Sequence, residues 1–134
     1  MERIEINTTA APAVGPQFAL SQGVRIGNML QTSGQVAQDP VTGQLVAGGF
    51  AEQMQQTLRN VVAVLDAGGA TLNDVLMMRV YVTDTAHLPE MNRVYSAFVG
   101  DVKPPRTTIC VGLPGDFLVE IEALAVVDPG TRSE

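Results

Sequence analysis

Apolar residues recur at steps of three and four along residues 50–67, and this spacing predicts an amphipathic helix from Phe50 to Ala67. Gln53 and Asn60 are assigned to the opposite, polar side of that helix. Gly68-Gly69 ends it, because a glycine after the last turn adopts the left-handed conformation at little cost. The predicted apolar stripe consists of Ala51, Met54, Leu58, Val61, Val62 and Leu65.

A second amphipathic helix is predicted from Leu88 to Val99, and Gly100 supplies its stop signal. Its stripe consists of Leu88, Met91, Val94, Tyr95 and Phe98. Both helices have apolar residues on one side only, which indicates that each lies on a sheet and not inside a helix bundle.

Short runs rich in β-branched residues predict the strands of that sheet. Val24–Ile26 and Met29–Thr32 flank Gly27-Asn28, which predicts a hairpin because glycine and asparagine accept the positive φ of a tight turn. Residues 39–43 predict a second turn. The other predicted strands are Arg3–Asn7, Val75–Thr83, Arg106–Val111 and Phe117–Val127.

The predicted order of elements, β-β-β-α-β-α-β-β, indicates an α+β fold in which a mixed sheet carries both helices on one face. No repeat, linker or break in composition interrupts the chain, so residues 1–134 are expected to form a single domain. The sequence offers no further element to cover the second face of the sheet. We therefore expect self-association through that face.

The charge balance of the chain excludes several classes of function. The chain carries 8 Lys+Arg against 14 Asp+Glu, and its net charge of −6 argues against a nucleic-acid-binding protein. Lys103 is the one lysine, so the sequence has no polybasic patch for a membrane surface. A single cysteine and a single histidine exclude an internal disulfide framework and a Cys/His zinc site. Without an apolar run long enough for a membrane span or a signal peptide, a cytoplasmic location is expected.

Two carboxylates on the last predicted strand are candidates for chemistry. Glu120 and Glu122 are two residues apart, so both side chains project from one face of the strand. The residues between and beside them are small and apolar and suit the helix-covered face. A pair of acids on such a strand needs a pocket, a partner charge or water, and the alternative interpretation is a solvated edge.

Arg106 is the matching cationic candidate. It follows Pro104-Pro105, which fix the backbone and deliver the side chain at a defined place. The planar guanidinium suits a carboxylate held by two hydrogen bonds, and the alternative is an ordinary surface ion pair. His87 and Cys110 are predicted to be structural, His87 solvated beside the second helix and Cys110 buried in its strand.

An ordered set of motifs extends over nearly the whole chain. Its weaker members lie at residues 15–28, 33–35, 39–43, 53–69, 80–84 and 91–95. Its most specific members are P-P-R-T-T at residues 104–108, L-P at 113–114 and V-E-I-E-A-L-A-V at 119–126. Together these motifs resemble the reactive-intermediate deaminase family, also called RidA, YjgF or L-PSP.

The resemblance implies a chorismate-mutase-like α+β fold, a homotrimer, and a ligand pocket at each subunit boundary. It assigns Arg106 to the carboxylate of a 2-imino acid and Glu120 to the catalytic water. The other implied substrate-binding residues are Thr108 through its backbone, Ser33, Gly34 and Asn92. The implied reaction adds water to the imine, releases ammonia and leaves a 2-keto acid, without a metal or an organic cofactor.

The sequence departs from the family pattern at three points. Leu20 aligns best with a tyrosine of the family and is expected to form a more apolar wall of the substrate pocket, and the alternative is that Phe18 fills this space. The loop between Arg106 and Leu113 is about one residue shorter than the family pattern. Thr108 stands where some members have a cysteine, so Cys110 inherits no role from the resemblance.

The predicted activity is that of a 2-iminobutanoate/2-iminopropanoate-type deaminase. The alternatives are a 2-aminomuconate-type deaminase on the same fold and a non-catalytic trimer that binds a small carboxylate such as a keto acid. A ribonuclease fits poorly, because an acidic chain with 4% aromatic residues offers little to phosphates or bases.

Overall fold

A computed structural model describes residues 1–128 of the chain. The strands are β1 (Arg3–Ile6), β2 (Gly23–Ile26), β3 (Met29–Thr32), β4 (Val75–Val82), β5 (Arg106–Cys110) and β6 (Val119–Val126). The helices are α1 (Phe50–Ala67) and α2 (Leu88–Val99), and two short 3-10 turns, Leu72–Asp74 and Thr85–His87, precede β4 and α2. The predicted α+β class and order of elements are confirmed, and each predicted boundary lies within two residues of the observed one.

All six strands form one sheet in the order β1-β2-β3-β6-β4-β5. The predicted hairpin is confirmed: Ile26 pairs with Met29 across the turn, and Gly27 has a φ of +60°. The last strand, β6, lies in the middle of the sheet and runs antiparallel to both β3 and β4. β5 runs parallel to β4, so α2 is the crossover that this parallel connection requires. β5 is left as an edge strand with one free side.

Both helices pack on the same face of the sheet and form its core. The predicted alternation along β6 is confirmed, since Val119, Ile121, Ala123 and Ala125 are fully buried. The acidic residues between them are half-buried on the opposite face. The helix-covered face therefore holds the core, and the acids are presented on the other side.

Gln53 and Asn60 correct the predicted polarity of α1, because both side chains are buried. Gln53 donates through Nε2 to the carbonyl of Asp116 (3.1 Å) and accepts from the N–H of Leu118 (2.8 Å). Asn60 donates through Nδ2 to the carbonyls of residues 36 and 38, each at 2.9 Å. Buried amides need such partners. These two side chains fix the loop that enters β6 and the loop that follows β3.

The second face of the sheet is open within residues 1–128. The register aligns Ile26, Met29 and Val126 on this face, and their side chains are 38–50% exposed. Ile109 of β5 is exposed on the same face. These exposed apolar side chains are the ones that the expected self-association through this face would cover. Neither helix in the described residues has the length and hydropathy needed to span a bilayer.

Candidate functional site

Glu120 has an unpaired carboxylate on the open face of β6. Its neighbour on that face, Glu122, forms an ion pair with Arg79 of β4 (3.1 Å), whereas Glu120 makes no hydrogen bond or ion pair within residues 1–128. Burial raises the pKa of Glu120, and the charge of Glu122 raises this pKa further. The two acids therefore differ: Glu122 is neutralised by a cation, and Glu120 is free to accept a proton or a ligand.

A local departure from the sheet places Gly34 against this carboxylate. β3 ends at Thr32, and the chain returns at Gln35, whose N–H donates to the carbonyl of Ile121 (2.8 Å) and whose carbonyl accepts from the N–H of Ile121 (2.9 Å). Between these points, the Glu120 carboxylate occupies the space that a Cβ on residue 34 would need. Any larger residue at position 34 would displace the Glu120 carboxylate, and the Gly34 N–H has no partner within the described residues.

Ser33 and Leu20 complete what we call the acid cluster, defined as Leu20, Ser33, Gly34 and Glu120. The Ser33 hydroxyl donates to the carbonyl of Ser21, so it ties the loop that carries Leu20 to the end of β3. The Leu20 side chain is 53% exposed. An open cleft of about 330 Å³ is lined by Leu20, Ser33 and Gly34 among others. Gly34 connects the two parts of the cluster, because it lines this cleft with Leu20 and Ser33 and lies against the Glu120 carboxylate.

Arg106 lies elsewhere, at the start of edge strand β5. Its Nη2 donates to the Oδ1 of Asn92 on α2 (2.8 Å), and its guanidinium carbon lies 4.7 Å from the ring centroid of Tyr95. Arg106 forms no ion pair within residues 1–128. Most of its five N–H donors therefore remain available to an anion, while the ring and the amide hold the group in place.

Thr108 belongs to the same region, and we call Asn92, Tyr95, Arg106 and Thr108 the arginine cluster. The N–H of Met78 donates to the carbonyl of Pro105, and the N–H of Val111 donates to the carbonyl of Val82, each at 2.8 Å. Because alternate residues of a parallel strand bond to one neighbour, the N–H of Thr108 points away from β4 toward the free edge. Its hydroxyl oxygen is buried without a hydrogen-bond partner.

The two clusters project from opposite faces of the sheet. Arg106 pairs with Met78, which is buried beneath the helices, and Glu120 pairs with Tyr81. Met78 and Tyr81 are three residues apart on one strand, so their side chains point to opposite sides. One chain therefore assembles each half of the predicted site, and it does not bring Arg106 and Glu120 together.

Tyr95 is a member of the arginine cluster that the sequence interpretation treated as core alone. Its ring is buried, and its hydroxyl has no hydrogen-bond partner within residues 1–128. Burial raises the pKa of Tyr95, and the Arg106 charge acts in the opposite direction. The available signal was its position three residues after Asn92, which places both on one side of α2.

Cys110 corrects a second expectation, because it is exposed near the end of edge strand β5. His87 is half-buried and stacks on Phe50, with ring centroids 4.5 Å apart, so it is a packing residue and not a simply solvated one. Among residues 1–128, no group of three His, Cys, Asp or Glu side chains is arranged to hold a metal ion.

The sequence model of the Endoribonuclease L-PSP family matches residues 8–127, and the chain belongs to this family. The resemblance to RidA/YjgF proteins is thereby confirmed. A RutC family protein of Pyrococcus horikoshii is 40% identical over 93% of this chain and 98% of its own length. The 2-iminobutanoate/2-iminopropanoate deaminase of Mus musculus is 39% identical, covering 92% of this chain and 91% of its own length.

Solved structures agree with this assignment. A putative endoribonuclease of Thermotoga maritima superposes with a TM-score of 0.87 at 41% identity, over 96% of this chain and 99% of that protein. The Escherichia coli protein TdcF, crystallised with bound serine, superposes with a TM-score of 0.85 at 37% identity, over 93% and 99% of the two chains.

Proposed function

We propose that this protein is a deaminase of small 2-imino acids and that its active site forms between copies of the chain. Deaminases of 2-iminobutanoate and 2-iminopropanoate are among its relatives at 36–39% identity. The related protein with bound serine holds a small molecule that carries one carboxylate and one nitrogen on the same carbon, as a 2-imino acid does.

The observation that carries the proposal is the placement of Arg106 and Glu120 on opposite faces of one sheet. Each is left with unused binding capacity: the guanidinium lacks an anion and the carboxylate lacks a donor within residues 1–128. A second copy that places its β5 edge against the open apolar face would bring its own arginine cluster toward the acid cluster of the first. A closed ring of three copies, the predicted homotrimer, makes three identical sites in this way.

In the proposed site, Arg106 holds the substrate carboxylate with two parallel N–H donors. The outward N–H of Thr108 and the free N–H of Gly34 supply further donors from the two sides of the interface. Asn92 keeps one guanidinium nitrogen occupied and so limits the orientations of the rest. These contacts place the imine carbon beside the acid cluster, where orientation alone lowers the barrier substantially.

Glu120 acts as the general base. Its carboxylate takes one proton from water as the water oxygen forms a bond to the imine carbon. The electron pair of the carbon–nitrogen double bond moves to nitrogen, which takes this proton from Glu120, and a tetrahedral intermediate with one hydroxyl and one amino group results. Glu120 then transfers the hydroxyl proton to the amino group as the oxygen forms the carbonyl double bond, the remaining carbon–nitrogen bond breaks with its electron pair going to nitrogen, and ammonia leaves. One 2-imino acid and one water give one 2-keto acid and one ammonia. A raised pKa suits Glu120 to this task, because a base works best when its pKa approaches the operating pH.

Subunit mixing tests both the reaction and the shared site. Arg106→Ala and Glu120→Gln copies are each expected to be inactive in ammonia release from freshly generated 2-iminobutanoate. When the two are unfolded together and reassembled at equal amounts, about a quarter of the interfaces regain an intact Arg106 and an intact Glu120 from different copies. Ammonia release should then return to about a quarter of the wild-type rate.

Reassembled single variants serve as controls and should stay inactive. Mixed assemblies without activity, under conditions that restore reassembled wild type, would contradict a site shared between copies. Wild-type protein that releases no ammonia faster than the uncatalysed reaction would refute the deaminase itself.

A further inference from the structure

We propose that Lys103 recognises a second anionic group, so that the preferred substrates are 2-imino acids that carry an additional carboxylate on the side chain. This inference rests on the proposed function and names the substrate class of that site. Lys103 and Arg106 both line one open cavity of about 440 Å³ beside α2, together with Asn92, Tyr95 and Ser96.

The charge of this cavity is unbalanced. Its lining includes two cations and no aspartate or glutamate. Arg3, Arg79 and Arg93 each have an ion-paired glutamate within residues 1–128, whereas neither Lys103 nor Arg106 has one. Arg25 and Arg59 also lack an ion pair within the described residues, but Arg25 donates to the carbonyls of Gly27 and Gly68 and Arg59 donates to Gln56, whereas the Arg106 cavity holds two cations together. Such an arrangement favours a ligand with two negative charges.

The backbone holds Lys103 in an unusual conformation. Its φ of +49° makes it the one non-glycine residue with a positive φ among those described. The buried ring of Pro104 follows it, and the N–H of Val102 donates to the carbonyl of Val99 (3.3 Å). A lysine in this region costs conformational free energy, and such residues cluster where function fixes the backbone. Here the conformation sets the single lysine on the wall of the Arg106 cavity.

The two cations suit different ends of one molecule. The Arg106 fork, fixed by Asn92 and Tyr95, selects the carboxylate next to the imine carbon. The Lys103 ammonium is a flexible point charge, which accepts a second carboxylate in many orientations at the end of a chain of one or two methylene groups. Monocarboxylic substrates use only the first contact. The expected result is a preference for dicarboxylic substrates, with monocarboxylic ones still accepted.

Calorimetric titration of the assembled protein with two stable keto acids tests this proposal. The dianion 2-oxoglutarate and the monoanion 2-oxobutanoate stand for the two product classes. Wild type is expected to bind the dianion about threefold to tenfold more tightly. Lys103→Asn removes the charge while asparagine tolerates the left-handed backbone, and it should reduce this affinity ratio to about one. Lys103→Arg should preserve the ratio.

Arg59→Gln is the matched control, because it removes one positive charge from an exposed site on α1 whose bond is to Gln56. The affinity ratio should stay at the wild-type value in this variant. A ratio that Lys103→Asn leaves unchanged, while Arg106→Ala abolishes binding of both keto acids, would overturn the role of Lys103 and leave the proposed deaminase standing. Wild-type protein that binds neither keto acid would overturn both.

Discussion

The acid cluster and the arginine cluster position their charged groups in different ways. In the acid cluster the backbone does the positioning: a break in strand pairing at residues 33–34 lays a glycine against the Glu120 carboxylate. In the arginine cluster, side chains position the charged group, because an aromatic ring and an amide hold the Arg106 guanidinium. One half offers a proton acceptor without a cation, and the other offers a cation without an acid.

This difference explains how one chain keeps the Arg106 guanidinium and the Glu120 carboxylate from pairing with each other. An arginine placed beside Glu120 within one copy would form an ion pair, as Arg79 does with Glu122 at 3.1 Å. Such a pair would lower the pKa of the acid and occupy the N–H donors of the arginine. Their placement on opposite faces of the sheet prevents this neutralisation within one copy, and in the proposed assembly the two groups meet only across the interface between copies.

The largest effect is expected from Arg106→Ala, which removes the anion-binding half. Keto-acid binding should weaken by at least about thirtyfold, and deamination should be lost, because the substrate loses both its anchor and its orientation. Arg106→Lys should fail largely as well, since a point charge does not reproduce the two parallel donors. Calorimetry and ammonia release measure the two effects. Undiminished deamination by an assembled Arg106→Ala variant would remove this cluster from the mechanism.

Glu120→Gln breaks the other half and should separate catalysis from binding. The amide keeps the shape of the side chain and does not accept a proton from water, so kcat should fall about a hundredfold or more. Keto-acid affinity, measured by calorimetry, should change far less. Parallel losses of kcat and of keto-acid affinity would instead make Glu120 a binding group.

The same variant has a predictable effect on stability. Because burial raises the pKa of Glu120 above that of the unfolded chain, its ionised form opposes folding at pH values above the unfolded pKa. Glu120→Gln should therefore raise Tm at pH 7 relative to wild type and have little effect at pH 3. Scanning calorimetry at the two pH values measures this. An equal rise in Tm at both pH values would show that the ionisation of Glu120 is not the cause of the rise.

Glu122→Gln sharpens the comparison between the two acids. The Glu122 charge raises the pKa of Glu120, so removing it should lower that pKa and move the acidic limb of the kcat/KM profile to lower pH. The release of Arg79 from its ion pair acts in the same direction. On the plateau of the profile, above the acidic limb of both proteins, the rates should differ little. A shift of the limb to higher pH would contradict this electrostatic coupling.

The smallest effect is expected at Tyr95, which acts on substrate through Arg106. Tyr95→Leu removes the ring beneath the guanidinium and should weaken keto-acid binding about threefold to tenfold. Tyr95→Phe keeps the ring and loses a hydroxyl that has no partner, so it should restore near-wild-type affinity. Far-ultraviolet circular dichroism controls for folding. Equal losses in both variants would show that the hydroxyl, and not the ring, supports Arg106.

The sequence predicted the elements well because each has a local cause. The three-and-four spacing of α1, the Gly27-Asn28 turn and the alternation along β6 depend on neighbours within a few residues. Gln53 and Asn60 were misassigned because their burial depends on loops that only the folded chain brings near. The separation of Arg106 from Glu120 could not be predicted from the sequence, because it follows from the order of the strands. β6 lies between β3 and β4, and β5 lies at the edge of the sheet.

β5 also bears on how the protein behaves at high concentration. Its outer N–H and C=O groups pair with no other strand within residues 1–128, and Ile109 and Val111 beside them are 46% and 40% exposed. A free strand edge of this kind is a template for strand addition by other chains. Pro104 and Pro105 lack the N–H that pairing needs, and they protect only the beginning of this edge. We therefore expect copies that dissociate from the proposed trimer to precipitate instead of accumulating as monomers. A keto acid bound at the proposed site, where the outward N–H of Thr108 lies on this edge, would delay that precipitation, so the proposed ligand would also serve as an additive that prolongs storage.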